Sequence, residues 1–158
     1  YRVVVPALTM KSNSEVVSAQ SFLRKMMQDG NTAEAKKALK ALIADVPYSN
    51  KKMASMDMEE RYRLIMSTIF RALGFRVEVE RMLATGRIDM IVEVPSIIYV
   101  LELKLSNNGG ISAAESLIKE KSYTKPFKAD KRKVIALAVE LDETGKGLID
   151  WKEVDESL

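Results

Sequence analysis

Residues 86–105 read GRIDMIVEVPSIIYVLELKL, and this stretch decides the predicted fold. It contains two apolar runs of strand length, 87–94 and 97–105, joined by a Pro-Ser pair at 95–96 that favours a tight turn. A third run, 75–82, alternates apolar and charged residues just before them. Three strands in such close order predict an antiparallel meander.

The last of these strands carries charges on one of its two faces. Because side chains alternate along a strand, the odd-numbered positions from 97 to 105 form an apolar face, whereas Glu102 and Lys104 share the other face. Asp89 lies in the neighbouring strand, and the turn can bring it opposite Glu102. Unpaired charges buried in a central strand cost several kcal/mol. The pattern therefore predicts either a structural ion-pair arrangement or a site where these groups meet a cation and a substrate.

Periodicity extends the prediction on both sides of the meander. Helical spacing predicts one helix over 57–73 and another over 111–123, ended by Pro126. The continuous apolar run at 134–139 predicts a strand buried on both faces, and 147–154 predicts a more exposed strand. The order helix, three strands, helix, strand, strand predicts an α/β fold.

Two shorter helices precede this core. Apolar positions at helical spacing predict a first helix that ends at Gly30 and a second helix over 33–44. Residues 1–50 are therefore predicted to form a helical hairpin connector, and residues 51–158 the main domain. Because the chain begins at Tyr1 rather than at a methionine, we expect it to be a piece of a longer protein.

The composition limits the chemistry available to the chain. Its 158 residues include no cysteine and no histidine, which excludes disulfides, thiol nucleophiles, Cys/His zinc sites and triads that need an imidazole. Carboxylate and carbonyl oxygens suit hard cations, so magnesium is the leading cofactor. No apolar run has membrane-spanning length and no secretory leader is visible, so we expect no membrane partner and a cytoplasmic location.

Several segments together resemble one protein family. They read LGFRVEVERMLATGRIDMIVE, IIYVLELKL, IKEKSYTKPF, KVIALAVELD and IDWKEV, in this order between residues 73 and 154. With Asp89 on one strand and the acid-x-lysine tripeptide at 102–104 on the next, the chain resembles the PD-(D/E)XK nuclease superfamily. The likeness is closer to one branch, the nuclease-like domains at the C-terminal end of predicted AAA-type ATPases of anaerobic bacteria.

The resemblance implies a restriction-endonuclease-like core that hydrolyses phosphodiester bonds of nucleic acids. In this pattern Asp89 and Glu102 are ligands of Mg²⁺ or Mn²⁺, together with a backbone carbonyl near Leu103. Lys104 orients the attacking water or neutralises the phosphate. Glu60 stands where many of these nucleases carry a further acid, although an ordinary carboxylate at a helix N-terminus explains it equally well.

The resemblance also implies partners. An ATPase domain would precede the chain in the full-length protein, and DNA or RNA would be the substrate. The basic segment between residues 119 and 133 can hold phosphates, with Lys119, Lys121, Lys125 and Arg132 as candidate contacts. A solvated helix end and turn explains this segment as well.

One position departs from the family pattern. Relatives in this branch usually carry a glutamine six residues before the tyrosine that matches Tyr123, whereas this chain has Leu117. Fold and activity are separate inferences, so a second hypothesis stays open. It is a nuclease-fold binding or regulatory module of an ATPase, with little or no cleavage.

Overall fold

The computed structural model describes residues 13–44, 46 and 56–156. Within these ranges the helices are α1 (Asn13–Asp29), α2 (Thr32–Ala44), α3 (Met58–Ala72) and α4 (Gly110–Lys121), with short 3-10 turns at Ser106–Asn108 and Lys125–Phe127. The strands are β1 (Arg76–Leu83), β2 (Gly86–Glu93), β3 (Ile97–Leu105), β4 (Lys133–Leu141) and β5 (Leu148–Val154). No helix of the described ranges has the length and apolar character needed to cross a membrane.

The strands of the described ranges form a mixed sheet in the order β1-β2-β3-β4-β5. β1, β2 and β3 are antiparallel neighbours, which confirms the predicted meander. β3 and β4 run parallel, since α4 connects them, and β5 returns antiparallel to β4. The predicted α/β fold is confirmed, with β3 as its central strand.

α3 begins and ends where local chemistry favours it. The Asp57 carboxylate accepts a hydrogen bond from the Glu60 N–H at 2.8 Å, a helix cap that contributes about 1 kcal/mol. Gly74 follows the helix with φ +88°, a left-handed conformation that glycine adopts without a Cβ penalty. Between these ends, one face of α3 packs on the sheet. Its largest buried side chains are Tyr62, Ile65, Met66, Ile69 and Phe70.

The sheet separates two apolar cores. The first core lies on the α3 side and includes Tyr99, Leu101 and Leu103 of β3. The second core lies under α4 and includes Ile98 and Val100 of the same strand. β4 contributes to both cores, which confirms that it is buried on both faces. Its core residues are Ile135, Leu137, Val139 and Leu141 on the first side and Ala136 and Ala138 on the second.

α1 and α2 form the predicted hairpin, which packs on the same side of the sheet as α3. Its buried apolar side chains belong to the first core; they are Leu23, Met27, Ala35, Ala38, Leu39, Leu42 and Ile43. The Trp151 indole N–H donates a hydrogen bond to the Thr32 carbonyl at 2.8 Å, and the Tyr99 hydroxyl donates one to the Met27 carbonyl at 2.5 Å. Hairpin and sheet therefore share a core. The predicted boundary near residue 50 lies outside the described residues, and the division there stays a prediction.

The end of α4 differs from the sequence prediction. The helix stops at Lys121, because Ser122 adopts a left-handed backbone conformation with φ +50°. The Tyr123 N–H then donates to the Ile118 carbonyl at 3.3 Å, as is common at left-handed helix ends. Pro126 lies in the separate 3-10 turn that follows, so the prediction that it ends the helix is wrong.

Candidate active site

β2 and β3 separate where Asp89 lies. Their backbone ladder stops at the pair Met90 and Leu101. Beyond this pair, the Leu103 N–H donates a hydrogen bond to the Asp89 carboxylate oxygen Oδ2 at 2.8 Å. Asp89 is only 1% exposed. A side-chain carboxylate thus replaces a strand partner, and the continued register puts Asp89 opposite Glu102.

Glu102 is buried beside Asp89. It is 5% exposed, and its Oε1 atom is buried without a hydrogen-bond partner in the described part of the chain. Burial raises the pKa of Glu102 to about 9, and the neighbouring Asp89 adds to the shift through its charge and through a hydrogen bond between the two carboxyl groups. Two carboxyl groups this close cannot both ionise easily unless a positive charge joins them. The pair therefore has the oxygen chemistry of a cation site.

Lys104 follows Glu102 on the same face of β3. Its side chain is half-buried, and its positive charge acts to lower the pKa of both Glu102 and Glu59. No described residue forms a hydrogen bond or a close ion pair with its ammonium group. An ammonium group near acids but bound to none of them is available to water or to a substrate oxygen.

α3 adds a further carboxyl, Glu59. Burial and then Asp89 raise the pKa of Glu59, whereas Lys104 opposes the shift, so Glu59 lies within electrostatic range of this centre. Glu60, the acid predicted from the sequence, is exposed next to it in the first helical turn. Helical spacing in the sequence could have indicated Glu59, because it precedes the buried Tyr62 by three positions and therefore lies on the face of α3 that is turned to the sheet.

Lys119 and Lys121 lie at the end of α4. The Lys121 carbonyl accepts a hydrogen bond from the Thr85 hydroxyl at 3.2 Å, so this helix end sits on the β1–β2 turn that leads to Asp89. Both lysines are near acids of their own helix: Lys119 lies 3.7 Å from Glu115, and Lys121 lies 3.8 Å from its neighbour in sequence. Exposed pairs of this kind are weak and exchange readily.

Arg132 and Lys125 lie elsewhere. The Arg132 guanidinium binds Asp130 and Glu93, each at 2.8 Å, toward the end of β2 that is away from Asp89. Lys125 lines a separate groove of about 670 Å³ beside β5. The structure therefore brings Asp89, Glu102 and Lys104 together and leaves these two basic residues outside that centre.

The donor set fits a hard cation, although the described residues contain no cluster of three or more acidic side chains arranged around a metal position. Glu102 Oε1 lacks a hydrogen bond within the described ranges, and Asp89 lies beside it. The N–H and C=O of one strand residue point to the same side, so the Leu103 carbonyl is directed toward β2, like its N–H. Carboxylate and carbonyl oxygens suit Mg²⁺ or Mn²⁺.

A central strand with acid-x-lysine beside an acid on its antiparallel neighbour defines a nuclease-like fold of the restriction-endonuclease type. A family model of the PD-(D/E)XK nuclease superfamily matches residues 57–151, a range that contains Glu59, Asp89, Glu102 and Lys104. The chain belongs to this superfamily, as the resemblance predicted, and its members generally use divalent metal ions. Comparison with curated proteins and with solved structures gave no match.

Proposed function

We propose that this domain is a metal-dependent nuclease that hydrolyses phosphodiester bonds of DNA or RNA. The observation that carries the proposal is the buried pair of Asp89 and Glu102, in which Glu102 Oε1 has no hydrogen bond from the described residues. Burying two adjacent carboxyl groups costs stability, and a bound cation offsets that cost. Such an arrangement favours a functional site over a structural one.

Each group of the centre has its own role in this proposal. Asp89, Glu102 and the Leu103 carbonyl would hold Mg²⁺ or Mn²⁺. When bound, such an ion lowers the pKa of water and stabilises negative charge on the phosphate. The Lys104 ammonium group orients the attacking water or neutralises a phosphate oxygen. It is available for this role because no described residue forms an ion pair with it. Glu59 accepts hydrogen bonds from water at the same centre.

The proposal extends to the partners of the domain. Lys119 and Lys121 are the best-placed contacts for a nucleic acid backbone, because the end of α4 sits on the turn that leads to Asp89. An ATPase domain would precede residue 1 in a longer cytoplasmic protein, with the hairpin as its connector. Cleavage by that longer protein with and without ATP tests this link: an ATP-dependent rate supports it, and equal rates contradict it.

Cleavage assays with matched variants test the proposed activity. The protein is incubated with single- and double-stranded DNA and RNA in Mg²⁺ or Mn²⁺, alongside Asp89→Asn, Glu102→Gln and Lys104→Met. Glu78→Gln, which changes an exposed acid of β1, serves as the control. We expect wild type and control to cleave, and each site variant to lose at least about 100-fold in rate. Equal rates in wild type and site variants contradict the proposal.

A further inference from the structure

A chain of ion pairs connects α3 to the candidate metal ligand Asp89. The Arg63 guanidinium lies 3.2 Å from Glu80 Oε1, and the Arg87 guanidinium lies 3.1 Å from Glu80 Oε2. The second terminal nitrogen of Arg87 lies 3.6 Å from Asp89 Oδ1. Arg87 therefore contacts a surface acid and a buried acid at the same time.

Glu80 has an unusual backbone conformation for this role. Its φ is +55°, a left-handed value that residues with a Cβ rarely adopt within a strand. The β1–β2 ladder pairs Val79 with Met90 and Arg81 with Ile88 but lacks the pair between them, which would join Glu80 to Asp89. The backbone is thus distorted opposite Asp89, where Glu80 holds Arg87 by its side chain.

Both carboxylate oxygens of Asp89 have protein partners. Oδ2 accepts the Leu103 N–H at 2.8 Å, and Oδ1 faces Arg87. The Leu103 bond belongs to the buried strand pair, whereas the Arg87 side chain is 43% exposed and has room to move outward. A cation that binds Asp89 through Oδ1 therefore competes with Arg87 and leaves the backbone bond in place.

We propose that Arg87 is the counter-cation of Asp89 in the metal-free protein and that it becomes a contact for a nucleic acid phosphate once a metal ion takes Oδ1. This inference rests on the proposed nuclease function. Arg87 lines a groove of about 610 Å³ that also contains Arg63 and the acid Glu59, and Arg87 joins this groove to the candidate centre through its contact with Asp89. A guanidinium group that leaves Asp89 but stays beside Glu80 faces this groove, and its planar fork binds phosphate oxygens in pairs.

Calorimetric titration with Mn²⁺ in the absence of nucleic acid tests the first half of the inference. We expect Arg87→Gln to bind Mn²⁺ about 3–10-fold more tightly than wild type, because the competing charge is gone. Glu80→Gln should bind it about 2–5-fold more weakly, because Arg87 is then free to pair fully with Asp89. Arg76→Gln, which changes an arginine of β1 that is 83% exposed, should have no effect.

The two opposite signs make the test independent of damage to the fold, because a misfolded variant cannot gain affinity. Unchanged or weaker Mn²⁺ binding in a folded Arg87→Gln variant, or tighter binding in Glu80→Gln, overturns this inference but leaves the proposed nuclease function standing. If wild type itself binds no Mn²⁺, the proposed function falls with it. Circular dichroism of each variant identifies any loss of fold, and Glu80→Gln decides the question if Arg87→Gln does not fold.

The phosphate contact of Arg87 is the second half of the inference. Fluorescence anisotropy with a labelled oligonucleotide and Mn²⁺ tests it, in a protein that also carries Lys104→Met to limit cleavage. Adding Arg87→Gln should weaken oligonucleotide binding about 3–10-fold and reduce the salt dependence of the affinity by about one phosphate contact. Adding Arg76→Gln should leave both unchanged. Equal affinity and equal salt dependence with and without Arg87 overturn the phosphate role.

Discussion

The carboxyl group of Glu102 opposes the stability of the metal-free domain. Its burial and the neighbouring Asp89 favour the protonated form, with the pKa of Glu102 raised from 4.5 to about 9. In an unfolded chain the same group ionises freely above pH 4.5. Folding therefore requires proton uptake at neutral pH, and this requirement lowers the free energy of unfolding as the pH rises from 4.5 to about 9.

Glu102→Gln should accordingly stabilise the metal-free protein. Because the amide needs no proton, we expect the free energy of unfolding to rise by about 2 kcal/mol at pH 8 and to change little at pH 4.5. The expected gain at pH 8 is smaller than the pKa shift alone implies, because water and local relaxation reduce the cost of burying the charge. Urea denaturation in EDTA at both pH values measures the difference. If Glu102→Gln were less stable than wild type at pH 8, the claim that the buried Glu102 carboxyl destabilises the metal-free protein would be wrong.

Glu59 and Glu60 form a matched pair of neighbouring acids. Glu59 interacts electrostatically with Asp89, whereas Glu60 is exposed. We expect Glu59→Gln to weaken Mn²⁺ binding about 3-fold, because a negative charge near the ion is lost, and Glu60→Gln to have no measurable effect. Calorimetric titration of both variants checks this. A larger effect of Glu60→Gln would favour Glu60, the acid predicted from the sequence, as the additional acid.

At the residue scale, the sequence contained most of the centre. Strand alternation put Glu102 and Lys104 on one face, and the short turn put Asp89 on the neighbouring strand. The step from Glu60 to Glu59 depends on the rotation of α3 about its axis, which its buried residues set. The contacts of Arg87 could not be predicted, because they depend on the distorted backbone of Glu80 and on side-chain geometry.

Glycines at two helix ends differ in what an added methyl group would meet. At Gly110, where α4 begins, φ is +52° and a Cβ would lie 2.3 Å from Glu140 Oε1. This carboxylate is held in place, since it accepts hydrogen bonds from the Ile111 N–H at 3.0 Å and the Ser106 hydroxyl at 2.9 Å. At Gly74, after α3, φ is +88° and a Cβ would have no neighbour within 4 Å.

Gly110→Ala should therefore destabilise the domain more than Gly74→Ala. We expect a loss of about 1 kcal/mol at Gly74 from backbone strain alone, and about 2–4 kcal/mol at Gly110, where the clash with Glu140 adds to it. Urea denaturation of the two variants compares these losses. Equal losses would show that the start of α4 does not depend on Glu140.

At the element scale, the types of the helices and strands followed from the sequence, but some of their ends did not. The apolar run of β4 correctly predicted burial on both faces, because a parallel crossover puts a helix over the sheet. Ser122 ends α4 through a left-handed conformation that serine seldom adopts, so no sequence signal indicated it. Pro126 was the stronger signal but acts later, in the 3-10 turn.

At the scale of the whole molecule, the hairpin and the sheet should unfold together. Leu39 of α2 is fully buried in the core that also contains Trp151 of β5. We expect Leu39→Ala to cost about 3 kcal/mol, and Lys37→Ala, at an exposed position of the same helix, to cost less than about 0.5 kcal/mol.

Two probes measure this coupling. Trp151 is the single tryptophan of the sequence, so its fluorescence reports on the contact with the hairpin, while far-ultraviolet circular dichroism reports on all helices. A shared core predicts coincident urea transitions by both probes, shifted together by Leu39→Ala. Separate transitions would show that the hairpin is an independent unit.

The sequence predicted the α/β order and the hairpin, but not the surface on which the hairpin packs. An amphipathic helix shows that it has a buried face without showing what covers that face. The indole of Trp151 and the hydroxyl of Tyr99 anchor the hairpin through backbone carbonyls, and such contacts have no pattern in the sequence. The family match over residues 57–151 covers α3 and the strands β1 to β4, the part of the fold that the resemblance predicted.

The central claim is that Asp89 and Glu102 form one site for a divalent cation. Equilibrium Mn²⁺ binding, followed by electron paramagnetic resonance of the free ion, tests it most directly. We predict one site in wild type and in Glu78→Gln, and loss of that site in Asp89→Asn and in Glu102→Gln, with all four proteins folded. Mn²⁺ binding that is the same in all four proteins would contradict the claim.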